Sequence, residues 1–286
     1  MPTSTPTDQP TSLRLRWIVT GSIVLAVALV GIVLTDREPI RSEYCTADVG
    51  KTHAQIDTDQ ARWVTLMSAI AHRRALPPRA TTIAIATAFQ ESKIHNLDYG
   101  DRDSVGLFQQ RPSQGWGTRE QILDPVYAIN RFYDELQKVA DYESMSITDA
   151  AQKVQRSAFG AAYASHEDYA RALASALRGY STAAFSCRIN PVGGGLTAIV
   201  VADLNSAYGV IPATARKGTI TLPLTGPAPD VEARGWGLAH YAVGNAARLK
   251  ITSVSFDGLR WTAADSPDGW VPHPKAAPDA VRISLN

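Results

Sequence analysis

An α+β fold, in two folded parts behind one membrane-spanning helix, is what this sequence predicts, and three observations predict it. Trp17 to Leu34 is an uncharged, mostly apolar run of 18 residues. Between Cys45 and Cys187 apolar residues recur at three- and four-residue spacing, the period of helices. After a Pro- and Gly-rich break the pattern turns to short alternating runs with helices among them, the mark of a small α+β unit. At 286 residues the chain is long enough for one or two domains, each with its own core.

Residues 1–16 are rich in Thr, Pro and Ser and hold too little apolar surface to pack, so they read as a disordered tail. Residues 17–35 have the length of a transmembrane helix. Arg14 and Arg16 precede it, so the positive-inside rule puts the tail in the cytoplasm and the bulk of the chain outside a single-pass cell membrane. A cleaved signal peptide is the alternative. Its apolar core would be shorter, and Ala26 and Ala28 lie inside the run where a cleavage site would follow it. Cys45 invites lipid attachment, but Ser42-Glu43-Tyr44 lacks the small apolar residues that would precede it.

Cys45 and Cys187 are the only two cysteines, and outside the membrane such a pair tends to be oxidised. A disulfide between them would enclose residues 45–187 as a first domain; two unrelated buried thiols are the alternative. Within it, residues 59–76 present Trp63, Leu66, Met67 and Ile70 on one helical face, and Pro77-Pro78 ends that helix and starts the next. Further helices are expected over 124–140, from Ser146 onward, and over 166–179.

Residues 188–196 read as a linker, and 197–286 as a small accessory domain. It is expected to hold a helix to Tyr208, a strand at 219–224, a helix over 236–249, and strands at 251–256 and 259–262 around an Asp257-Gly258 turn.

A net charge of +1 with 19% charged residues offers no basic footprint, so nucleic acid is not an expected partner.

The chemistry concentrates between residues 80 and 118. Thr81 to Phe89 is small and apolar, a buried helix that delivers Gln90, Glu91 and Ser92 at its C-terminal end. Desolvation and the negative end of a helix both favour the protonated form of a carboxyl group there. A carboxylic acid held neutral is what protonation of a glycosidic oxygen requires. A helix-terminal surface glutamate is the plainer alternative.

Glu91-Ser92 followed by Gly106-Leu107-Phe108-Gln109 resembles the E-S and G-L-M-Q signature of lytic transglycosylases and the wider lysozyme-like superfamily. Asn130 and Tyr133 resemble that family's next helix, and residues 154–160 stand where its A-Y-N-A-G loop belongs, without the asparagine. The resemblance covers about half of the chain, residues 55–187, and implies a mainly-α lysozyme-like domain. It further implies cleavage of peptidoglycan glycan strands with Glu91 as general acid and base, without a cofactor, and Ser92, Gln109 and Gln110 lining the cleft. The C-terminal part resembles accessory domains of cell-wall hydrolases related to zinc carboxypeptidases, but His240 and His273 lack a zinc-ligand spacing, so no metal is expected.

Trp116, between two glycines, and Tyr163 are expected as stacking platforms for sugar rings, or else as packing residues. Asp98, Asp101 and Asp103 leave three possibilities open: a second carboxylate that activates water, a calcium-type D-x-D pair, or a loop that satisfies its own backbone. The rival functional class is a non-catalytic peptidoglycan-binding or scaffold protein with a degenerate lysozyme-like fold.

Overall fold

The computed structural model describes residues 42–155 and 164–286, and residues 42–286 form one compact unit. The expected transmembrane helix at 17–35 and Tyr163 lie outside the described residues. Among the described residues no helix is long and apolar enough to cross a membrane.

The unit begins with a hairpin, β1 (Tyr44–Val49) and β2 (Thr52–Asp57), turning at Gly50, whose φ is +60°. Cys45, Ala47, Ala54 and Ile56 alternate inward, and polar residues take the other face. A third strand, β3 (Phe185–Arg188), pairs antiparallel on the other side of β1 and sets Cys187 opposite Cys45. The two cysteines form a disulfide across 142 residues of sequence. The cysteines therefore staple the sheet that closes the helical region, a sheet that the helical periodicity of 45–187 did not predict.

Helices fill the span between. Asp57 and Gln60 make a reciprocal capping box that starts α1 (Thr58–Arg73), and Pro78 occupies the first turn of α2 (Pro78–Ser92). α2 lies at the centre, packed on α1, α4 (Pro125–Leu136), α5 (Ile147–Gln155) and α6 (Glu167–Leu177), with the short α3 (Arg119–Leu123) beside α4. Residues 80–88 of α2 are all buried. Tyr133 is sealed in this core and donates its hydroxyl to Met67 O at 3.0 Å; burial raises its pKa far above the phenol range.

The second part contains α7 (Thr197–Tyr208), α8 (Ala228–Gly244), the short α9 (Ala246–Leu249) and a six-stranded antiparallel sheet. Its strands are β4 (Thr214–Arg216), β5 (Thr219–Pro223), β6 (Ser253–Phe256), β7 (Leu259–Thr262), β8 (Val271–Pro272) and β9 (Ala280–Ser284), in the order β4-β5-β9-β6-β7-β8. α8 fits between this sheet and the first part because it carries glycine at both contacts. A Cβ at Gly235 would stand 2.1 Å from the Phe256 ring, and one at Gly244 would stand 2.7 Å from Thr65.

Polar contacts bind the two parts further. Trp261 Nε1 donates to Cys187 O at 3.0 Å and Trp270 Nε1 to Phe185 O at 2.8 Å, covering the outer edge of β3 with indole rings. Asn245 Nδ2 donates to Thr65 Oγ1, and Ile189 N, at the start of the expected linker, donates to Ser266 Oγ.

His240 of α8 is fully buried and donates from Nδ1 to Ala176 O at the end of α6, 2.8 Å away. Burial lowers its pKa from 6.5 to about 4, against the smaller opposing effect of that bond. The unfolded chain therefore takes up the proton first. Stability is complete above about pH 6.5 and declines as pH falls toward 4, by about 3 kcal/mol in total. Urea unfolding at about pH 7 and pH 4.5 measures this. A His240→Gln chain should lose less stability over that interval than the wild type, and equal losses would refute the assignment.

Candidate functional site

The last turn of α2 places its side chains by period alone. Residues 81–88 face the core, Gln90 and Glu91 emerge half-buried, and Ser92 turns back inside. Lys93 ends the helix in the left-handed conformation with φ +55°. Ser92 Oγ donates to Leu107 O at 2.7 Å, with Ala88 O at 3.1 Å as its intrahelical alternative. One hydroxyl thus ties the residue beside Glu91 to the Gly106-Leu107-Phe108-Gln109 segment, so the two halves of the sequence motif meet.

That segment is a tight antiparallel turn. Val105 and Gln110 exchange both backbone hydrogen bonds at 3.0 Å. Gly106 has φ +81°, and a Cβ there would approach Ile122 O to 2.9 Å, so both conformation and space require glycine. Phe108 stacks on Phe132 of α4 with ring centroids 4.4 Å apart, and Gln155 Nε2 of α5 donates to Phe108 O at 2.6 Å. Gln155 is a fixing residue of this turn that the sequence offered only as part of a divergent loop.

The expected sugar-binding residues occupy different situations. Gln109 is half-buried and its amide braces the loop before it: Nε2 reaches Tyr99 O and Gly106 O, and Oε1 accepts from Ser104 Oγ. Gln110 is 1% exposed and donates to Ala128 O, so it serves the interior and does not line a surface. Trp116 is 4% exposed, which corrects the expectation of an open platform. Gly117 has another use, since a Cβ there would strike the Tyr127 hydroxyl oxygen at 2.5 Å and its ring at 2.8 Å, and that hydroxyl donates to Trp116 O.

The three aspartates lie apart from the core. Asp98 is exposed, and Asp101 has a side chain 92% exposed, 3.9 Å from Arg102. Asp103 accepts from Ser113 N and Arg111 Nε, each at 2.8 Å, and from Ser113 Oγ at 3.0 Å. Those bonds, the Ser113 amide first, hold its pKa far below the carboxylate range. Asp103 is a brace between two loops and a very weak base.

Aromatic residues flank the turn before Glu91. His166 stacks on Phe89 at 5.3 Å, and Tyr169, 40% exposed, meets Phe89 edge-on at 6.3 Å. Burial, and then the charge of Lys93, lower the pKa of His166. His166 has no place in the sequence motif; the sequence offered it only as the start of the helix expected over 166–179. In the second part His240 is sealed in the core. Among the described residues no three His, Cys, Asp or Glu side chains converge as a metal ion would require.

A scan against protein-family models finds no match to this chain, and a search of curated proteins finds none either.

Proposed function

We propose that this chain cleaves the β-1,4 bond between N-acetylmuramic acid and N-acetylglucosamine in peptidoglycan, as a lysozyme-like enzyme of the lytic transglycosylase type. Residues 17–35 would anchor it to the membrane, with the catalytic unit outside. The observation that carries this reading is Glu91 itself. It emerges half-buried from the end of an apolar helix, beside a serine clamped to the Leu107 carbonyl. Glu91 protonates the leaving glycosidic oxygen; its carboxylate then takes the proton of the muramyl 6-hydroxyl as that oxygen closes on C1. One carboxyl group performs both transfers, and no water is consumed.

The three aspartates favour this route over hydrolysis. A second carboxylate that activates water must be basic and must face the sugar. Asp103 is committed to Arg111 and Ser113, while Asp98 and Asp101 stand in open solvent.

A non-catalytic peptidoglycan-binding protein is the second reading, and a specific observation favours it: the Gln109 amide braces its own loop, and Gln110 and Trp116 are buried. Purified sacculi separate the two. The enzyme releases muropeptides from them and a Glu91→Gln chain does not, whereas a binding protein sediments with sacculi and releases nothing in either form.

Ser92 is a positioning residue in this account. Ser92→Ala removes one buried hydrogen bond and should cost about 1 kcal/mol of stability. Turnover of sacculi should fall about tenfold with binding unchanged, because a small displacement of a general acid is enough to do so. Equal loss of binding and turnover would make the role merely structural, as would rescue of full turnover by stabilising conditions alone.

A further inference from the structure

α1, α7, α8, α9 and the start of α4 enclose a cavity of about 220 Å³, lined by none of the residues of the sequence motif. Two guanidinium groups line it. Arg248 donates from Nη2 to Asp203 Oδ1 at 2.8 Å and to Asn245 Oδ1 at 2.7 Å. Both holders are fixed from behind: Asp203 accepts the hydroxyl of Tyr241, which is 3% exposed, and Asn245, 2% exposed, donates to Thr65 and to Tyr241 O. Arg62 lies over the ring of Trp63, 4.1 Å from its centroid. Its guanidinium has no acidic group within ion-pair distance among the described residues.

The nearby carboxylates are already engaged. Asp59 accepts from Trp63 Nε1 and pairs with His95, and Asp124 receives the backbone N–H groups that open α4. Burial first, and then the charge of Arg248, lower the pKa of Arg62, and the opposing pull of Asp59 and Asp203, each bonded to other groups, does not offset them. A half-buried guanidinium presents several donors in one plane and gains most from an oxyanion that accepts two of them.

We propose that this cavity binds the oxyanionic head, carboxylate or phosphoryl, of a small molecule between Arg62 and Arg248. The remainder of the ligand lies along Leu66 and Val126 on the apolar side of the cavity. The arginines are preorganised, one by stacking and the other by a buried polar network, so binding orders few side chains.

Calorimetric titration of the full chain with inorganic phosphate and, separately, with succinate at matched ionic strength tests this. Saturable binding of either probe below about 10 mM supports the site, and the probe that binds tells whether the head is phosphoryl or carboxylate. Arg62→Gln, a half-exposed position whose loss leaves the core intact, should weaken that binding at least about tenfold. Arg248→Gln should do the same, and if that chain fails to fold Arg62→Gln decides alone. The proposal is overturned if neither probe saturates, or if Arg62→Gln binds as tightly as the wild type.

Discussion

A Glu91→Gln chain should release muropeptides from purified sacculi at least about 10²–10⁴ times more slowly than the wild type, the usual contribution of a positioned general acid or base. Glutamine preserves the size of the side chain and its ability to hydrogen-bond, but it has no proton to give and no basic oxygen with which to take one. The half-buried residue sits on a helix whose preceding turns are sealed in the core, so the fold tolerates the change and unfolding should not confuse the result. Retained binding to sacculi together with lost turnover assigns the chemistry to Glu91. Unchanged turnover would remove Glu91 from the reaction altogether.

Removing the disulfide should have the largest effect on stability. Cys45 and Cys187 are cross-strand neighbours on β1 and β3, and the bond closes a loop spanning 142 residues. In the chain-entropy account a loop of that length contributes about 4–5 kcal/mol, which is a large part of the total for most domains. The paired Cys45→Ala, Cys187→Ala chain should therefore unfold at a much lower urea concentration, with a steeper slope because the unfolded chain without the bond exposes more surface. β3 would suffer first, because its outer edge is held by two indole N–H groups and its inner edge by β1. A midpoint that does not move on removing the bond would mean that the sheet is held by packing alone.

Helices and caps were the legible part of this fold. Pro77-Pro78, the apolar run from Thr81 to Phe89, and the periodic Trp63, Met67 and Ile70 are local signals, and local signals specify helices. The β1–β2–β3 sheet was not legible. Its strands are four to six residues long, two of its inward residues are alanines, and its key pairing joins residues 142 positions apart. β9 escaped for the same reason. The region read as a linker has a buried isoleucine, Ile189, as its second residue, because the second part docks on the edge of β3 and along α1.

At the candidate site, the helix end bearing Glu91 and the need for glycine at 106 could both be read from residue types. The burial of Trp116 could not. Gly117 looks like a mark of exposure in the sequence, but it makes room for the Tyr127 ring, a partner ten positions away. The bonds that the Gln109 and Gln110 amide nitrogens donate within the fold were hidden likewise. Gln109 has φ +47°, which turns successive side chains out of the alternation that a strand would give them.

The most direct test of the central claim, that Glu91 alone moves both protons, is the mass of the products released from sacculi by the wild-type chain. The account predicts glycan ends closed internally as 1,6-anhydro sugars, each lighter by one water than a reducing end. Hydrated reducing ends would contradict it, since water and not the muramyl 6-hydroxyl would then have attacked C1.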